Sequence, residues 1–154
     1  MASRESKLLV LLVLVILQVG TGVMAEGRHF SRPGFLYTRT RGRCTPQYWS
    51  SRREAWPKMV PERSTVWKVF GWQATERYRK ELTLAEAASM EEEEEGAFGR
   101  LVKQSTAALI NSYMRRGYPY APWEVKTLLI QSLVSAEAAA FQAHKFRQAN
   151  DNCG

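Results

Sequence analysis

Cysteine and histidine are scarce in this chain, two of each in 154 residues. Two thiols are too few for a disulfide-dense scaffold and too few for a zinc site built on cysteine alone. Histidine, the commonest base for activating a serine, threonine or cysteine nucleophile, occurs only at His29 and His144. His29 lies in an arginine-containing stretch, and His144 stands between Ala143 and Lys145, where a surface or boundary role suffices. Gly-rich phosphate loops, H-E-x-x-H and G-x-S-x-G are all missing, and Glu54, Glu124 and Glu137 are isolated carboxylates with nothing holding a pair at glycosidase separation. The expectation is a protein that binds rather than catalyses, with no cofactor and no resident metal. An uncharacterised hydrolase is the remaining enzymatic alternative.

Long apolar runs are equally rare. Leu8 to Leu17 is an unbroken run of ten, preceded by Arg4 and Lys7 and followed by Val23 and Ala25. A bilayer-spanning helix needs roughly 20 such residues, so the layout predicts a secretory signal peptide over residues 1–25, cleaved after Ala25. Later residues hold no second run of that length, no apolar C-terminal tail and no retrieval signal, so no stable membrane anchor is expected after cleavage. The expected location is the extracellular space or cell wall. Asn-x-Ser/Thr sequons are lacking too: Asn111 is followed by Ser112 and Tyr113, which puts the hydroxyl one position early.

What the chain has in quantity is positive charge, a formal +7. Such a balance suits nucleic acid, but the leader directs the chain away from that partner, and none is expected. Residues 26–63 hold nine Arg and Lys against three Glu, whereas residues 64–154 hold eleven of each sign. Within residues 26–43, Arg28, Arg32, Arg39, Arg41 and Arg43 are spaced through Gly27, Pro33, Gly34 and Gly42 without apolar periodicity. This segment reads as a flexible basic arm, either a solvated linker, a processing site, or an electrostatic contact for a polyanion such as acidic wall polysaccharide. Glu91 to Glu95 form the opposite patch, an exposed loop or frayed helix end with Ca²⁺ binding as the sharper alternative.

Helical signals follow from Cys44 onward. Thr45 can cap a helix opened by Pro46 and stopped by Pro57 soon after Trp56, with Tyr48, Trp49, Ala55 and Trp56 on its buried side. Val66 to Phe70 is too short for periodicity to classify. Thr83-Leu84-Ala85-Glu86 is a capping-box pattern for a helix to about Met90. Phe98, Leu101, Val102, Ser105, Ala108, Leu109, Ser112 and Tyr113 recur at helical steps and predict one apolar face, ended by Gly117. Pro122 can open the next helix, lined by Val125, Leu128, Leu129 and Leu133, and Ser135 can cap a last one. Along that last helix, Ala136, Ala139, Ala140, Ala143 and Phe146 offer a small-residue face for close packing. The predicted fold is mainly α, a small helical bundle over residues 44–154 behind the arm.

In an oxidising compartment Cys44 and Cys153 are expected to pair, closing the bundle with one disulfide, because no other partner exists in the chain. A free Cys153, or pairing between chains, is the alternative. Of Trp49, Trp56, Trp67, Trp72 and Trp123, core packing is the expected use, with a ligand platform as the other reading.

Several blocks in order carry a family resemblance: Cys44-Thr45-Pro46-Gln47-Tyr48-Trp49, Ala55-Trp56-Pro57, Val69-Phe70-Gly71, Ser105 to Ser112, Tyr118-Pro119-Tyr120, Ala138 to Phe146 and Ala149-Asn150. Together, over roughly residues 44–150, they resemble the C-terminal domain of plant protodermal factor proteins. Tyr48, Trp49, Trp56 and Pro57 form the leading motif, here spaced by the basic insert Ser50-Ser51-Arg52-Arg53-Glu54. The resemblance implies a secreted plant protein associated with the wall of epidermal or reproductive tissue, without established catalytic activity and without catalytic residues to carry over. The Pro/Ser/Thr-rich, extensin-like repeat of that family has no counterpart in residues 26–43, so wall attachment is expected to be electrostatic, through the arm's guanidinium groups. The alternative is a signalling or protein-interaction module that binds a receptor or another extracellular protein, favoured by an apolar patch around Tyr118, Tyr120 and Trp123.

Overall fold

Capping chemistry places most of the helices. In the computed structural model, which describes residues 42–91 and 96–153, Thr45 Oγ1 accepts from the Tyr48 N–H and Pro46 occupies the first turn of helix α1 (Pro46–Ser51). The signal peptide, Arg28, Arg32, Arg39 and Arg41 of the arm, and Glu92 to Glu95 lie outside the described residues.

Helix α2 (Val66–Phe70) buries Val66 and Phe70, and Gly71 ends it at φ +129°, a conformation that costs a side chain dearly. Helix α3 (Leu84–Ser89) carries the predicted capping box: Thr83 Oγ1 accepts from the Glu86 N–H, and Glu86 Oε2 accepts from the Thr83 N–H at 2.8 Å. That backbone hydrogen bond is the main reason the Glu86 carboxyl titrates below its ordinary range. Helix α4 (Gly96–Met114) is followed by α5 (Pro122–Gln131), with Pro122 in the first turn and the Ala121 N–H donating to Glu124 Oε2 at 2.7 Å. Helix α6 (Ala136–Asp151) begins at Ser135, whose Oγ accepts from the Ala138 N–H. Among the described residues the structure is helical without strands; Thr65 and Thr83 meet in a single isolated antiparallel bridge.

Helix α4 is the centre of the bundle. It packs most extensively on α6 and also against α3, α5 and α1. Periodicity predicts one buried face, but every residue from Leu101 to Asn111 is buried. The reason is the number of neighbours: helices on several sides leave no solvent face over three turns, and Ser105, Thr106, Ala107 and Ala108 are small enough to admit them closely. Ala139, Ala143 and Phe146 of α6 are buried, as their spacing predicts, while Ala136 at the helix start is exposed. Around them Trp49, Leu82, Leu84, Leu101, Leu109, Ile110 and Leu129 are fully buried, each large apolar side chain contributing about 1.5–3 kcal/mol.

Two helix ends differ from the predicted ones. Helix α1 stops at Ser51 rather than near Trp56, and a 3₁₀ turn (Arg53–Ala55) follows. Arg52 leaves the helical region at φ −128° and ψ 53°, and its N–H and the Trp56 indole N–H both donate to the Trp49 carbonyl, at 3.3 and 2.9 Å, as the chain turns back over α1. Pro57 therefore follows the 3₁₀ turn and not the helix. Helix α4 ends at Met114, three residues before Gly117, whose φ of +77° makes the following turn instead.

Cys44 and Cys153 are disulfide-bonded within one chain, Cα atoms 5.9 Å apart, and neither thiol is free. The bond joins the residue before α1 to the segment just after α6. Tryptophan follows its predicted use only in part: Trp49 is 1% exposed, but Trp72 and Trp123 are 67% and 68% exposed. Trp56 and Trp67 are half-buried against the core.

Candidate functional site

The polar residues that the core encloses are the first distinctive feature. Trp49 Nε1–H donates to Asn111 Oδ1 at 2.8 Å, and Asn111 Nδ2 donates both to the Cys44 carbonyl at 2.7 Å and to Asn150 Oδ1 at 2.8 Å. Tyr118 OH also donates to Asn150 Oδ1, at 2.7 Å, while Asn150 Nδ2 donates to the carbonyl and the Oε1 of Gln104 at 3.1 and 3.0 Å. Both asparagines thus use both N–H groups and the side-chain oxygen, which is the condition for burying an amide without a net penalty. The cluster ties α1, α4, the α4–α5 turn and α6 together beside the disulfide. Burial holds the Tyr118 phenol well above the ordinary tyrosine range, so it stays a neutral donor.

Local signals for this cluster are faint. Asn111 attracts notice in the sequence only as a failed sequon, yet it stands seven residues after Gln104 on the same helical face. Asn150 continues the step of Ala139, Ala143 and Phe146, a polar residue where the apolar series calls for another core side chain. Several blocks that carry the family resemblance converge here, with directly bonded residues up to 67 positions apart.

The second feature is a cationic groove of about 700 Å³ against this cluster. One wall is the turn from Arg115 to Tyr120; the other is Lys145, Gln148, Ala149 and Asn152 at the end of α6, with Cys153 beside them. Among the described residues no Asp or Glu lines it. The nearby acid Asp151 is engaged by Arg147 at 3.8 Å. Arg115 joins the two features: its guanidinium lies 5.4 Å from the Trp49 ring and donates through Nη2 to the Arg43 carbonyl at 3.0 Å. Its Nε has no acceptor among the described residues. Tyr120 stands edge-on to Phe146 at 5.2 Å, fixing the turn to the core.

Charge counting missed this groove. Residues 64–154 balance at eleven of each sign only because Glu91 to Glu95 supply five of the acids; elsewhere in that half eleven bases face six acids. Of the predicted arm cations, Arg43 alone falls within the described residues, exposed and anchored to Arg115 through its carbonyl.

Other predicted candidates come out differently. His144 borders a pocket of about 120 Å³ with Arg100, Gln104 and Arg147, so the two carboxylates that a hydrolase would need are not gathered there among the described residues. Tyr118 and Tyr120 are half-buried and internally engaged, which reduces the expected apolar patch to Trp123. Tyr48, half-buried, meets the Trp49 ring edge-on at 5.0 Å, and Pro57 with Trp56 borders a shallow cleft facing Arg53 and Arg63. The exposed Trp72 shares a cleft of about 260 Å³ with Trp67, Thr75 and Lys80. Among the described residues no three His, Cys, Asp or Glu are grouped to hold a metal ion, and no helix is long and apolar enough to cross a membrane.

Comparison with known proteins matches residues 44–153 to the family described as Protodermal factor 1 C-terminal domain. Those limits coincide with the two half-cystines. No curated protein and no solved structure matches the chain.

Proposed function

Because this chain belongs to the Protodermal factor 1 C-terminal domain family, we propose that it is a secreted, non-enzymatic plant protein of epidermal or reproductive tissue, retained in the wall or apoplast by binding acidic polysaccharide. The observation that carries the attachment is charge continuity. Arg28, Arg32, Arg39 and Arg41 lead in sequence to Arg43, whose backbone carbonyl accepts from Arg115 in the lining of a groove free of described carboxylates. The disulfide agrees with an oxidising exterior, as does the leader-like run Leu8 to Leu17.

Co-sedimentation with pectin at increasing salt tests this function. Exposed charge pairs are screened over about 10 Å at 0.1 M salt and about 3 Å at 1 M, so retention should fall steeply. Replacing Arg28, Arg32, Arg39 and Arg41 by alanine should weaken it at every salt concentration. Retention indifferent to both salt and arm charge would overturn electrostatic attachment.

The exposed Trp123 favours one second reading, a module that docks on an extracellular protein. Trp123→Ala would then reduce co-purification of that protein from apoplastic fluid and leave pectin retention unchanged.

A further inference from the structure

We infer that the groove between the Arg115–Tyr120 turn and the end of α6 is a discrete binding site for a short carboxylated saccharide, an oligomer of uronic acid. The inference rests on the polysaccharide reading above and deepens it, by placing a saturable site on the folded domain in addition to the arm. Three kinds of group meet in the groove. Arg115, Arg116 and Lys145 supply positive charge with no described carboxylate among them, so an anion entering displaces no internal ion pair in the lining. Gln148 and Asn152 offer amides that both donate to and accept from hydroxyls. Pro119 and Tyr120 provide an apolar flank of the kind that packs on the C–H face of a pyranose.

Size and rigidity agree with this occupant. A volume of about 700 Å³ is within the range of small-ligand sites, which runs from about 300 to 1,000 Å³. The walls are set before any ligand arrives: the turn is held by Tyr118 on Asn150 and by Tyr120 on Phe146, and the facing wall belongs to a 16-residue helix ended by a disulfide. Pre-set walls lower the ordering cost of binding. Arg116 and Lys145, both exposed, line the groove without taking part in the amide cluster, and the contact of Lys145 Nζ with the Phe141 ring at 5.1 Å is on the surface, so both can be replaced without opening the core.

Titration calorimetry on the full mature chain decides the matter, using tri-galacturonate as probe, with a neutral trisaccharide and tri-glutamate as comparators. Saturable one-to-one binding of tri-galacturonate is expected. It should weaken by at least about tenfold in Arg116→Ala/Lys145→Ala, since charge-assisted hydrogen bonds are lost. Gln148→Ala/Asn152→Ala should weaken it less. The arm variant lacking Arg28, Arg32, Arg39 and Arg41 should bind the trimer as the parent does, although its pectin retention is weakened. Absence of saturable binding, or equal binding by the groove variant, overturns the site whatever the pectin result. Equal affinity for tri-glutamate also overturns it, in favour of an acidic-peptide site. Loss of pectin retention from the arm variant with no trimer binding leaves arm attachment standing and removes the groove, so the two ideas fail separately.

Discussion

The amide cluster and the cationic groove share two pieces of chain, the end of α4 with its turn and the last turns of α6, yet they treat polar groups in opposite ways. Inside, Asn111 and Asn150 have every side-chain donor and acceptor committed to another part of the chain. Outside, Arg116 and Lys145 stand in a wall without described carboxylates. Buried polar groups must be paired because an unmet one costs about 1–3 kcal/mol, so the inner set specifies how the helices dock. Solvated charges carry no such obligation and stay available to a ligand. Arg115 belongs to both, packing on Trp49 while lining the groove.

Stability measurements can break or sharpen this contrast. The largest expected effect is at the staple that both regions share: Cys44→Ser/Cys153→Ser should lower the unfolding free energy by about 4–5 kcal/mol on the chain-entropy account of a loop spanning 109 residues. Urea unfolding of the variant against the oxidised parent reads it. Asn111→Ala should follow at about 3 kcal/mol, because it strands the Trp49 N–H and the Cys44 carbonyl together. A loss below about 1 kcal/mol would mean that the cluster does not organise the core.

Third comes the phenol of the inner region. Tyr118→Phe should cost only about 1 kcal/mol, since Asn150 Oδ1 still receives the Asn111 N–H. Its clearer signature is pH dependence. Burial raises the folded-state pKa of both Tyr118 and Tyr78 above their usual value near 10. Below pH 10 both states keep these protons; above it the unfolded chain releases them while the folded chain does not, so stability declines as pH rises from there. In an alkaline absorbance titration, these two phenols should ionise only together with loss of near-UV circular dichroism. Smallest is the outer region. Arg116→Ala/Lys145→Ala should leave the thermal midpoint almost unchanged, within about 0.5 kcal/mol of the parent. A drop of several degrees would show that the groove, like the cluster, is structural.

What could be read in advance was short-range. Thr45, Thr83 and Ser135 mark helix starts because a side-chain oxygen meets an N–H within three residues, and Pro122 marks one because its missing N–H is not needed there. The family blocks were legible for the same reason, as contiguous strings. Trp56 was misplaced because the chain leaves the helix at Arg52 and brings the indole back to the Trp49 carbonyl, and nothing within one turn of either residue announces that. Asn111 and Asn150 went unrecognised because an asparagine on a helix is equally at home in water, and its burial depends on which helices cover it.

Cap residues, prolines, apolar spacing and a lone pair of thiols were therefore enough to settle where most helices begin, that they form a bundle, and which two ends a disulfide would join. Packing alone decided that α4 would be enclosed on every side from Leu101 to Asn111, that amides 39 residues apart would meet in its wall, and that three cations from a charge-balanced half would share one groove. Propensity and capping act between neighbours along the chain, whereas enclosure and charge convergence arise only when distant segments occupy adjoining space.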